Sequence, residues 1–136
     1  MADRLGQTPR VRFAKPELEF VDPDATDGFE WVPLEGDATG QLTEVVLAGS
    51  HESGWVTRLL RFVPGADTTP NGVLTHEVWE EVFIVSGSIH DLRLGQTFTA
   101  GMYACRPPGM EHGPWTSPDG AVTFELRYRD PGSDGS

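Results

Sequence analysis

The stretch LTHEVWEEVFIVSG (residues 74–87), followed by GMYACRPPGMEH (residues 101–112), decides how this chain is read. Residues 82–85 are a short apolar run, with charges ahead and Ser86-Gly87 behind, which predicts a strand closed by a turn. His76 and Glu80 are four apart, so on one regular strand their side chains share a face, with Glu77 and Glu81 on the other. The rigid Pro107-Pro108-Gly109 bend can aim His112 toward the same interior. Singly, each has an ordinary explanation: a hydrogen-bonded imidazole, a solvated glutamate, a plain turn. Together His76, Glu80 and His112 form a set of two imidazoles and one carboxylate, which suits a divalent transition metal with open positions for substrate.

Outward from these blocks the period is two, and no segment reads as a helix. Residues 29–34 alternate weakly around Trp31, and residues 42–48 and 55–63 are strand candidates separated by GSHESG. In the second of these, Arg58, Leu60 and Phe62 share one face and Thr57, Leu59 and Arg61 the other. Residues 88–92 are expected to return as the hairpin partner of 82–85, and 97–100, 102–105 and 122–129 complete the set. On the last, Val122, Phe124, Leu126 and Tyr128 form an apolar face opposite Thr123, Glu125 and Arg127. Some nine or ten short strands punctuated by turns predict an all-β sandwich or barrel. Residues 13–21 carry a short amphipathic pattern that can add an edge strand, dock loosely or reach a second subunit.

Composition fits one globular domain. The chain has 136 residues, 38% hydrophobic and 23% charged, and its 16 Gly and 11 Pro supply the turns that many short strands need. A net charge of −11, with nine Arg and one Lys, argues against nucleic acid or an anionic membrane as partner, since both reward a positive field. The single cysteine, Cys105, permits no intrachain disulfide. The first residues lack an apolar signal region, which makes the cytoplasm the expected location.

The spacing of the two blocks resembles that of the cupin superfamily. Its second motif, G-x5-P-x-G-x2-H-x3-N, is met by Gly101, Pro107, Gly109 and His112, with Thr116 in place of the final Asn. Its first, G-x5-H-x-H-x3-4-E-x6-G, is met by His76, Glu80 and Gly87; the distance to Gly87 selects Glu80 over Glu81. The segments VTRLLRFVPGA, EEVFIVSGSI and RPPGMEHGPW also look like the acetylacetone dioxygenase type of cupin and the cupin domain of zinc-binding anti-sigma factors. The resemblance spans residues 31–128. One position departs: the first His of the H-x-H pair falls on Leu74, which cannot ligate, and the loop ahead of it is longer than usual.

The resemblance implies a single-domain double-stranded β-helix, the jelly-roll barrel of cupins, over residues 29–130, with an arm at 1–28 and a flexible tail at 131–136. It implies one divalent metal on His76, Glu80 and His112, with Fe(II) favoured and Zn, Ni or Mn as alternatives. His51, His90 and Glu125 are candidates for a fourth ligand; Glu125 faces either a cavity or solvent. A substrate pocket is expected among Leu74, Trp79, Tyr103, Cys105 and Trp115, with Phe83 and Met110 nearby. Arg58 and Arg106 are candidate clamps for an enolate or carboxylate. The implied activity is a metal-dependent, dioxygenase-like oxidoreductase acting on a small dicarbonyl or phenolic enol. The alternatives are a redox-neutral isomerase or cyclase and a non-catalytic ligand- or metal-sensing cupin. A homodimer is also implied.

Overall fold

The computed structural model describes residues 15–129, and within them it builds nine strands and one 3-10 turn at Thr69–Asn71. The tail at 131–136 and the first half of the expected arm lie outside the described residues. Residues 15–21 form no strand, so the described part of the expected edge strand is not made. No helix among the described residues is long and apolar enough to cross a membrane.

The strands are β1 (Val32–Pro33), β2 (Leu42–Ser50), β3 (Trp55–Phe62), β4 (Ala66–Asp67), β5 (Trp79–Asp91), β6 (Gln96–Thr99), β7 (Tyr103–Arg106), β8 (Trp115–Ser117) and β9 (Ala121–Tyr128). All pairings are antiparallel; the order is β1-β2-β3-β9-β5-β8-β4, with β6 and β7 also paired to β5. The sheet curls so that β5 serves two layers. Its first half pairs with β7 and β9, and its second half with β6 and β8.

This corrects the expected hairpin. Ser86-Gly87 is not a turn, and residues 88–92 do not fold back on 82–85; β5 runs through as one strand of 13 residues. The register against β9 shifts between Ile84 and Ser86. Burial shows what the shift does: Glu80, Val82 and Ile84 face inward before it, and Ile89 and Asp91 after it, so even positions hand over to odd ones. One extra residue in a strand reverses which face its side chains take. Gly87 sits in the irregular segment at φ 80°, and a Cβ there would collide with the Gly120 carbonyl. A glycine is required because the neighbouring backbone fills that space.

The core proper gathers at one end of the barrel: Leu42, Leu60, Phe62, Ala66, Ile84, Ile89 and Ala121 are all buried, with Phe98 and Trp115 packed against them. On β9 the apolar face read from the sequence is not the buried one. Thr123 and Glu125 are buried while Phe124 is 37% exposed, so the polar side of the strand looks inward.

Candidate metal centre

Glu80 owes its place to the parity of β5 ahead of the register shift, and it is 2% exposed. His76 precedes the strand. Its segment is held by the turn of the second motif, because the Gly109 N–H donates to the His76 carbonyl at 2.8 Å. His112 stands opposite Leu74 in an isolated antiparallel bridge, with N···O distances of 2.8 and 3.0 Å. Two segments distant in sequence are thereby laid side by side, and the ligand atoms of His76, Glu80 and His112 fall within 4.8 Å of one another.

The donor chemistry fits a divalent cation. His112 Nδ1 lies 3.2 Å from the Met110 carbonyl, a contact that only an Nδ1–H can satisfy, so in the neutral ring Nε2 carries a lone pair. Burial, with the charge of Arg106, lowers the His112 imidazole to about 4. Burial also lowers His76, where the Glu80 charge is the main opposing influence. The two Nε2 atoms are 3.0 Å apart. Two nitrogens each about 2.1 Å from one ion and at right angles stand roughly 3.0 Å apart, so the pair has the spacing of adjacent ligands. Glu80 Oε1 lies 3.8 Å from His76 Nε2 and 4.0 Å from His112 Nε2, which leaves the carboxylate to close in by about an ångström on a shared ion.

Arginines hold Glu80 where it is. It pairs in register with Arg106 on β7 and with Arg127 on β9, a row of three inward side chains across three strands. Arg106 Nη1 donates to Oε1 at 2.8 Å, Arg58 Nη2 reaches Oε2 at 3.5 Å, and Arg127 Nε lies 3.2 Å from Oε2. Burial alone would raise the Glu80 carboxyl; Arg106, Arg58 and Arg127 outweigh it and keep the group ionised. The Arg127 Nε contact is off the line of its N–H, and that buried atom makes no hydrogen bond to the described residues.

Arg58 is a structural hub, not an available clamp. Its Nε and Nη2 donate to Glu125 Oε1 at 2.9 and 2.6 Å, and Nη1 donates to Glu44 Oε1 at 3.0 Å. Desolvation works against its charge, but Glu125, Glu80 and Glu44 push the guanidinium further toward the protonated form. The candidates for a fourth ligand are taken elsewhere. His51 Nε2 meets Glu44 at 2.9 Å, Glu125 is bound by Arg58 and by the Thr123 hydroxyl, and His90, turned outward by the changed parity of β5, meets Thr97. Leu74 instead presents an apolar side chain to the cavity.

That cavity, of about 450 Å³, is bounded by the three candidate ligands and by Leu74, Arg58, Arg106, Arg127, Met110 and Trp115, among others. Trp79 and Cys105 are corrections: neither lines it. Both follow the outward parity of their strands, Trp79 stacking on Tyr128 at 6.5 Å and Cys105 standing exposed. Phe83 is likewise outward, 44% exposed. Tyr103 reaches the cavity margin but spends its hydroxyl on Glu81, as Tyr128 does. Arg127 is the residue that the sequence reading did not single out.

A curled antiparallel barrel with an imidazole–carboxylate cluster opening on its interior defines a cupin. The family described as the ChrR cupin-like domain matches residues 23–128, and the chain belongs to that family. No curated protein matches it in sequence. Among solved structures it is similar to an acetylacetone dioxygenase from Acinetobacter johnsonii, at 19% identity and TM-score 0.63, over 90% of this chain and 79% of that one. It is also similar to the polyketide cyclase RemF from Streptomyces resistomycificus, at 14% identity and TM-score 0.60, over 85% and 82%. A third similarity is to a chain of the Rhodobacter sphaeroides complex of SigE with the anti-sigma ChrR, at 17% identity and TM-score 0.55, over 74% of this chain and 50% of that one.

Proposed function

We propose that this cupin is a metal-dependent enzyme acting on a small organic molecule, as a dioxygenase-like oxidoreductase on a dicarbonyl or phenolic enol. The observation that carries the proposal is that His76, Glu80 and His112 border a cavity of about 450 Å³ whose remaining wall is largely apolar. Sites for small molecules combine an apolar wall with a few convergent polar groups in this way. His76, Glu80 and His112 would hold the metal; Fe(II), when bound, supplies Lewis-acid polarisation of substrate oxygens and exchanges electrons with dioxygen. His112 is kept in the ligating tautomer by the Met110 carbonyl, Leu74 and Trp115 add apolar wall to the cavity, and Glu80 stays ionised between arginines.

Similarity to a polyketide cyclase supports a redox-neutral version, with zinc or nickel as Lewis acid only. Membership of a family described by ChrR supports a third version, in which ligand or metal is sensed and not turned over. One experiment separates them: a panel of β-dicarbonyls and phenols is offered to iron-loaded protein in air and to iron- or zinc-loaded protein under argon. The proposal expects oxygen uptake in step with substrate loss, abolished under argon. Turnover under argon supports the cyclase or isomerase version, and binding without turnover in either gas supports sensing.

A further inference from the structure

We infer that Arg106 and Arg127 form an anion-binding pair beside His76 and His112, so that the cavity takes a small, largely apolar molecule bearing a carboxylate or enolate oxygen. This rests on reading the cavity as a ligand site and adds to it the charge of the ligand and the residues that select it.

The argument is one of local charge balance. Around Glu80 three arginines and three glutamates meet, and they cancel as a whole but not by neighbourhood. Of the other charged residues of the cavity wall, Asp37 and Asp91 accept backbone N–H bonds, Glu35 and Glu111 are exposed, and Arg93 donates to the Glu111 carbonyl. Glu44 and Glu125 are spent on Arg58, with His51 on the far side of Glu44. That leaves one carboxylate, Glu80, between Arg106 and Arg127, its partners in register on both sides. Of the Arg106 side-chain donors only Nη1 has a hydrogen bond to the described residues. The buried Nε of Arg127 lies 3.2 Å from Glu80 Oε2 but off the line of its N–H, and it makes no hydrogen bond among the described residues.

A buried guanidinium with an unmet donor costs free energy until an acceptor arrives. The two imidazoles at the same place bring no negative charge. A guanidinium offers paired N–H donors whose spacing matches a carboxylate or a chelating enolate, and both arginines border the cavity. Leu34, Leu60, Phe98 and Met110 elsewhere in the wall suit the apolar remainder of such a molecule.

The test uses chelator-treated protein, so its result does not depend on metal or turnover. Benzoate and acetate are titrated calorimetrically against their neutral isosteres, benzamide and acetamide. At least one carboxylate should bind about tenfold or more tightly than its amide, because hydrogen bonds to charged groups are the stronger kind. Arg127→Met and Arg106→Met should each weaken carboxylate binding about tenfold and leave the amide unaffected. In the wild type, the Arg127 Nε–H resonance should move with the carboxylate and not with the amide. Equal affinity for acid and amide, no carboxylate binding at roughly 10 mM, or undiminished carboxylate affinity in Arg127→Met would overturn the inference. The wild-type comparison stands even if a variant fails to fold. If oxygen uptake is found while acid and amide bind alike, the proposed function survives and this inference does not; anion binding without turnover is the reverse case.

Discussion

The same four strands build two unlike interiors. At one end of the barrel β2, β3, β5 and β9 contribute Leu42, Leu60, Phe62, Ile84, Ile89 and Ala121 to an apolar core. At the other, the same strands turn Glu44, Arg58, Glu80, Glu125 and Arg127 inward, all but Arg127 fully buried. Backbone geometry is common to both ends; what changes is the side chain at each inward position. The apolar end gives cohesion, and the ionic end gives a fixed electrostatic floor for two imidazoles. Leu74 marks the border, an apolar residue facing the ionic side where the motif would have a histidine.

The sharpest way to break this contrast is Arg58→Met, which leaves Glu44 and Glu125 buried without their main partner. Removing one member of a buried ionic group costs about 3–5 kcal/mol. Leu60→Ala at the apolar end should cost about 2–5 kcal/mol through lost burial and a cavity. Urea unfolding measures both, and a loss under about 1 kcal/mol in Arg58→Met would show that the ionic end is not a unit.

Acid then separates the two ends. Burial would raise the Glu44 carboxyl, but His51 and Arg58 hold it below its ordinary 4.5, and the arginines do the same for Glu80. On acidification the unfolded chain takes up these protons first, so their stabilisation is complete above 4.5 and drains away as pH falls through the folded values. The deficit of Arg58→Met relative to wild type should therefore shrink on acidification, because its buried Glu44 has lost a cation that held it ionised and takes up its proton more readily. The deficit of Leu60→Ala should stay constant. Parallel pH dependence in the two variants would contradict the division.

A smaller effect is expected at the border. Leu74→His puts a third imidazole opposite His112 and should tighten Zn(II) or Fe(II) binding on the order of tenfold in competition with a chromophoric chelator. Unchanged affinity would mean that Leu74 does not occupy a ligand position.

The sequence was informative where spacing constrains geometry and silent where facing must be known. The two glycine-bracketed motifs carried the fold, and the gap to Gly87 distinguished Glu80, 2% exposed, from Glu81, which binds two tyrosine hydroxyls on the outer face. Strand parity was the weak point. The register shift in β5 reverses facing between Ile84 and Ser86, so the expected hairpin went astray, and the facing of His90, open in the sequence, is decided by that shift. In β9 the apolar face is the outer one, sheltered by the Trp55–Tyr128–Trp79 stack, which hid the importance of Arg127. Trp79 and Cys105 sat near the right residues in sequence but one position out of phase with the interior. Arg58 was read as a candidate clamp on the same strand face as Leu60 and Phe62, and it is buried among glutamates instead. Its role was not legible, because its partners Glu44 and Glu125 lie 14 and 67 residues away in sequence.

The central claim is that His76, Glu80 and His112 hold a divalent metal at the ionic end. It is tested most directly by metal analysis of protein purified without chelators, alongside His112→Ala with its melting temperature recorded. The account predicts close to one transition-metal ion per wild-type chain and almost none in a folded His112→Ala variant. Wild-type protein that carries no metal and takes up neither Fe(II) nor Zn(II), or a folded His112→Ala variant that keeps its metal, would contradict it.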